Sequence, residues 1–142
     1  MASWSYCRKF DEFQFEENKA LLVGRAGVYQ FGFFYFEEFL PKYIGRVVWT
    51  SKAYDFYQRF LKYKNGSHNP YVAKKIAAQR KMLWFRVMVV PDPSWTESRY
   101  LLDDLNSFGQ FDTFEWNNQG SNVAATRDRI DFRQKFAAYY DT

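Results

Sequence analysis

The stretch Gly27 to Phe36 (GVYQFGFFYF) constrains this chain more than any other, with ten consecutive residues free of charge and six of them aromatic. Rings packed this densely need burial, and aromatic side chains fit the pleated, half-buried surface of a strand. Lys42 to Trp49 (KYIGRVVW) reads as a second strand, and Glu37 to Pro41 between them as the turn of a hairpin.

Periodicity supplies the helices. Phe10 to Leu22 mixes apolar and acidic residues at roughly helical spacing and predicts a leading helix. Ser51 to Lys64 sets Ala53, Phe56, Tyr57, Phe60 and Leu61 on one stripe, leaves Arg59 and Tyr63 to a different face, and stops at Asn65-Gly66. Asn69-Pro70 reads as an N-cap followed by a first-turn proline. It opens a helix through Val72, Ala73, Ile76 and Ala77 to about Lys81. Leu83 to Val90 is a third strand, and Ser94 to Phe108 a helix with Leu101, Leu102, Leu105 and Phe108 inward. Ala124 to Tyr140 is a final helix with Phe132, Phe136 and Tyr139 or Tyr140 packed. The order is β-β-α-α-β-α-α within a single domain spanning 1–142, with the prolines at element boundaries and no linker.

A composition 47% hydrophobic and 23% aromatic excludes a disordered chain. Cys7 is the only cysteine and His68 the only histidine, so neither an intrachain disulfide nor a Cys/His zinc site can form, and a metal would need oxygen ligands. No uncharged apolar run reaches membrane-spanning length, and Met1 to Phe10 does not read as a signal peptide; a soluble, cytoplasmic protein is the expectation. The net charge of +4 suits a polyanionic partner without specifying one.

Two tripeptides carry a sharper signal. Gly27-Val28-Tyr29 on the first strand and Tyr43-Ile44-Gly45 on the second resemble the paired signatures of the GIY-YIG endonuclease family, with Val28 in place of the usual Ile. The family also places an arginine on the helix after the second signature and a glutamate on a helix after the third strand, where Arg59 and Glu97 stand here. Tyr63 occupies the position one turn past the arginine that is often histidine. The resemblance extends to His68-Asn69 and, more weakly, to Asn117 or Asn118, covering about 25–118.

This resemblance implies an α/β fold with a small, three-stranded, mostly antiparallel sheet flanked by helices, and a DNA endonuclease leaving 5′-phosphate and 3′-hydroxyl ends. Tyr29 or Tyr43 would orient or deprotonate the attacking water, and Arg59 would hold the scissile phosphate. Glu97 would ligate one Mg²⁺ or Mn²⁺. These groups supply what phosphodiester hydrolysis needs, namely a base, a cation over the phosphoryl oxygens and a Lewis acid at the leaving group. A phenol has an ordinary pKa of about 10, so Arg46, Lys42 or the metal would have to lower it for the base role. The interval from Tyr43 to Arg59 is longer than usual in the family, which makes Arg46 a rival for the phosphate. Lys74, Lys75, Arg80 and Lys81, with Arg127, Arg129, Arg133 and Lys135 on the last helix, could follow a DNA backbone. The short chain leaves no room for a separate recognition domain, which favours a stand-alone restriction-like or phage-type enzyme, with a homodimer as one route to cutting both strands.

Each residue also has a structural reading. Tyr29 and Tyr43 could be ordinary core aromatics with satisfied hydroxyls. Arg59 could pair with Asp55, four residues earlier. Glu97 could close a capping box with Ser94, and His68 could be a surface residue. A fold that binds nucleic acid without turnover, or one that cuts RNA, remains open alongside the DNA nuclease.

Overall fold

The computed structural model describes residues 2–48, 54–108 and 111–118. The expected last helix over 124–140, with Arg127, Arg129, Arg133 and Lys135, lies outside the described residues, as do Trp49, Ser51 to Ala53 and the side chain of Phe108.

A four-stranded antiparallel sheet forms the centre, in the order β1-β4-β2-β3. Strand β2 (Gly27–Tyr35) pairs on one side with β3 (Glu38–Val47) and on the other with β4 (Trp84–Val89). The strand beyond those expected is β1 (Arg8–Lys9), two residues that pair with Phe85 and Trp84 of β4. Such a short element has no period to read. Its place is set instead by the main chain of Ser5 and Phe10 bonding to Val87 and Leu83.

The hairpin turns earlier than its sequence suggests. Phe36 and Glu37 are the turn residues, both with positive φ (49° and 64°), the conformation that a two-residue hairpin with matching strand twist demands. Residues 38–41 therefore pair with β2 instead of forming the loop. A bulge at Phe31/Gly32 restores the register that sets Tyr43 opposite Phe31. Pro41 is tolerated because β3 is an edge strand.

The leading segment divides into a 3-10 turn over Phe10–Glu12 and helix α1 (Glu16–Leu22). Helix α2 (Phe56–Lys64) begins at Asp55, whose carboxylate accepts the Gln58 N–H at 2.7 Å. Helix α3 (Pro70–Gln79) is capped by Asn69 in a left-handed conformation, followed by a 3-10 turn over Arg80–Met82. Helix α4 (Pro93–Phe108) starts one turn before Glu97: the Asp92 carboxylate accepts the Trp95 N–H at 3.1 Å, which makes Asp92 the cap and Pro93 the first helical residue.

Alternation along the strands sends side chains to two faces. Tyr29, Phe31, Tyr43, Phe85 and Val87 join Phe10, Phe13, Phe56, Phe60, Tyr63, Val72 and Ile76 in a large cluster beneath α2 and α3. Ile44 faces the other way and packs with Leu101, Leu105, Phe111 and Phe114 in a smaller cluster beneath α4; Leu102 is half-buried. Among the described residues no helix is long and apolar enough to cross a membrane.

Candidate active site

Where β3 forms the edge of the sheet, a cleft of about 430 Å³ opens, lined by Tyr29, Tyr43, Arg46, Val48, Tyr54, Arg59, His68 and Glu97. Tyr29 and Tyr43 come from the α2 face of the sheet, Arg46 from the α4 face; the cleft therefore wraps around the β3 edge. Every residue that the sequence singled out as catalytic lines this cleft or bonds to a residue that does.

The two signature glycines place the phenols. A Cβ on Gly45 would overlap the ring and hydroxyl of Tyr29, and one on Gly27 would overlap the Met88 carbonyl. Tyr29 thus crosses its neighbouring strand at the only side chain small enough to permit it. The hydroxyl lies 2.7 Å from that of Tyr63 and accepts from Arg59 Nη1 at 3.5 Å. Tyr43 Oη accepts from Asn69 Nδ2 at 3.5 Å, so the residue that caps α3 also steadies the second phenol.

Tyr63 does not project from a separate face. Phe56, Phe60 and Tyr63 form the buried stripe of α2, at spacings of four and three, and Tyr63 is 1% exposed. Its ring meets those of Tyr29, Tyr43 and Phe31 edge-on. The i, i+4, i+7 spacing from Phe56 was the signal available in the sequence.

Burial raises all three phenols. For Tyr29 and Tyr43 the loss of water outweighs the help of Arg59 and of neighbouring hydrogen bonds, and for Tyr63 the other two phenols add to the rise. The expectation that neighbours would lower a tyrosine into the range of a base is reversed here, since desolvation is the larger effect.

Arg59 does not pair with Asp55. The Asp55 carboxylate accepts from the N–H groups of Gln58 and Gly24, the latter at 2.8 Å, and Arg59 instead donates to the Arg46 carbonyl at 3.0 Å and to Tyr29. Its guanidinium pKa is raised: burial acts to lower it, and the surrounding phenols Tyr29, Tyr63 and Tyr43 more than offset that. His68 sits with its ring edge-on to Tyr63, centroids 5.1 Å apart. Partial burial, Arg59 and Lys62 push its pKa down to about 4, which leaves a neutral imidazole at the cleft wall.

Glu97 is not part of a capping box, because Asp92 caps α4. It is 7% exposed and its Oε1 accepts from Arg46 Nη1 at 2.7 Å. Among the described residues no three His, Cys, Asp or Glu side chains gather to hold a metal. Glu97 is the carboxylate of the cleft, a donor set that suits only a cation content with water and phosphate oxygens as its remaining ligands, as Mg²⁺ is.

The asparagines expected near nucleic acid hold main-chain groups of the fold. Asn117 is buried, accepting from Ile44 N–H at 3.0 Å and donating to Ile44 carbonyl at 2.9 Å, which covers the open edge of β3 at that residue. Asn118 bonds both main-chain groups of Phe111, closing the 111–118 loop. Lys74, Lys75 and Arg80 do not line the cleft. Lys75 lies over the Tyr71 ring, Arg80 pairs with Asp11, and Lys74 and Arg80 border a separate groove between α2 and α3. The sequence pattern did not flag Val48 and Tyr54, two further wall residues.

No family model matches this chain, and no curated protein or solved structure does either.

Proposed function

We propose that this protein is a GIY-YIG-type endonuclease that hydrolyses a phosphodiester bond in DNA with the help of one divalent cation at Glu97. The observation that carries the reading is the meeting of Tyr29, Tyr43, Arg59, His68 and Glu97, from four separate elements and a loop, around one cleft that wraps the edge of the sheet.

In this reading Arg59 binds the scissile phosphate. Two of its contacts hold it to the protein, and a guanidinium has five N–H donors, so donors remain for phosphoryl oxygens. Tyr29 and Tyr43, kept protonated by burial, orient the water and the phosphate as hydrogen-bonding groups. His68, kept neutral, offers a ring nitrogen at the cleft wall as a hydrogen-bond acceptor for the attacking water, whose proton leaves to solvent. A cation held by Glu97 would supply Lewis-acid charge to the departing 3′ oxygen. Two copies acting on opposite strands would convert a nick into a double-strand break.

Supercoiled plasmid incubated with Mg²⁺ tests the proposal. Nicked circles that ligase reseals, formed with Mg²⁺ and absent with EDTA or in Glu97→Ala, are the expected result. One observation favours a second reading: Glu97 is engaged by Arg46 and the phenols of Tyr29 and Tyr43 are raised, an arrangement that also suits a domain that grips nucleic acid without cutting it. Plasmid bound but never nicked would select that reading, and cleavage of labelled RNA in preference to DNA would replace the substrate.

A further inference from the structure

The ion pair between Arg46 and Glu97 bears on the order in which ligands enter. The guanidinium Nη1 stands 2.7 Å from the carboxylate Oε1, with the Glu97 side chain 9% exposed and that of Arg46 36% exposed. Arg46 therefore occupies coordination space at the carboxylate that lines the cleft among the described residues, while its own side chain keeps a path to solvent.

Charge makes the consequence directional. Among the described residues that line the cleft, two guanidiniums stand against one carboxylate, with His68 neutral. A divalent cation arriving alone would have to displace a bonded guanidinium and then stand beside two guanidiniums, in a partly desolvated space where repulsion is strong. A DNA phosphate removes both obstacles, because it offers the Arg46 guanidinium a bidentate anionic partner in place of Glu97 and brings negative charge of its own.

We propose that Arg46 is a positioning residue that exchanges Glu97 for a DNA phosphate, so that cation and DNA bind cooperatively and the metal site forms fully only on DNA. This rests on the nuclease reading above and adds to it a rule for when the site is loaded. By linkage the coupling is reciprocal: the cation strengthens DNA binding by the factor by which DNA strengthens cation binding. The main chain of Arg46 can stay fixed during the exchange, since its carbonyl is held by Arg59 and only the side chain has to turn.

Mn²⁺ titration of the full chain, followed by the electron paramagnetic resonance signal of free Mn²⁺, tests this without relying on turnover. Wild type, Arg46→Met, Arg46→Lys and Glu97→Gln are each titrated alone and with a phosphorothioate duplex that resists cutting. Glu97→Gln with duplex gives the Mn²⁺ attracted by the DNA itself, to be subtracted. Wild type should bind Mn²⁺ on the order of tenfold more tightly with duplex than alone, within the usual range of coupling between sites. Arg46→Met should bind Mn²⁺ more tightly alone than wild type does alone, and gain less from DNA than wild type, the remaining gain coming from phosphate oxygens that complete the cation's shell. Arg46→Lys, which retains the charge, should keep part of the coupling. Arg46→Met that binds as weakly as wild type in the absence of DNA, or the same gain from duplex in both proteins, would overturn the exchange while leaving a Glu97-dependent site intact. A wild type with no Glu97-dependent Mn²⁺ site even on duplex would remove the metal-nuclease reading and the exchange with it.

Discussion

The two sides of the cleft are held in place by different physics. On the α2 side, Tyr29 and Tyr63 are fully enclosed by rings of Phe31, Phe56 and Phe60, and their hydroxyls are fixed by one another and by Arg59. On the α4 side a smaller cluster carries the helix, and the Glu97 carboxylate is held by an ion pair to a side chain with access to solvent. Dense aromatic packing gives one geometry and resists change, whereas a guanidinium can trade one anion for another at little cost in packing. The fixed side is suited to positioning a phosphate and a water; the exchangeable side is suited to admitting a cation.

The sharpest way to break this comparison is to remove one group from each side. Glu97→Ala should lower cleavage on the order of a thousandfold, the scale of losing a main electrostatic contributor to a transition state. Its thermal midpoint should fall only modestly, from loss of the ion pair to the half-exposed Arg46, because the α4 cap belongs to Asp92. A large loss of stability in that variant would place Glu97 in the packing rather than the chemistry. Gly45→Ala should lower stability and activity together. The added methyl overlaps the Tyr29 phenol, and forcing it in should cost about 3 kcal/mol of stability by chemical denaturation, with activity lost alongside.

Smaller effects sharpen the division. Tyr63→Phe removes one hydrogen bond from Tyr29 and keeps the ring, so stability should drop by about 1 kcal/mol. A fall in kcat much larger than that loss, with KM unchanged, would show that the phenol network orients reacting groups and does not merely fill space. The mildest effect concerns His68. Its imidazole stays neutral in the folded protein down to about pH 4, whereas in the unfolded chain it titrates at about 6.5. The unfolded chain therefore takes up the extra proton first, and stability should fall as pH drops from about 6.5 toward about 4 and level off below. His68→Gln should flatten that limb in a pH series of thermal melts.

Much of this arrangement was legible in the sequence, and the exceptions have physical causes. The strands over Gly27–Tyr35 and Trp84–Val89, the capped helix opening at Asn69-Pro70 and the signature tripeptides carry strong local patterns. The turn at Phe36–Glu37 did not, because neither residue has the ordinary preference for positive φ, and the pairing of β2 with β3 decides it. The capping-box alternative at α4 stayed open in the sequence because Ser94 and Glu97 satisfy that spacing as well as Asp92 satisfies a simple cap; only the main-chain path separates them. Asn117 shows no local pattern at all, since its partner Ile44 lies 73 residues away. The Arg46–Glu97 pair joins residues 51 apart across a sheet edge, and no spacing rule reaches that far.

The central claim is that a DNA phosphate sits in the cleft around the β3 edge, between Arg59 and Glu97. A crystal structure of the protein with a short duplex and Ca²⁺, which fills a Mg²⁺ site without readily supporting hydrolysis, tests it directly. The account predicts one backbone phosphate bonded to Arg59, Arg46 turned from Glu97 to a phosphate, and Ca²⁺ on the freed carboxylate. A duplex lying along Lys74 and Lys75 of α3 with no phosphate in the cleft would contradict it.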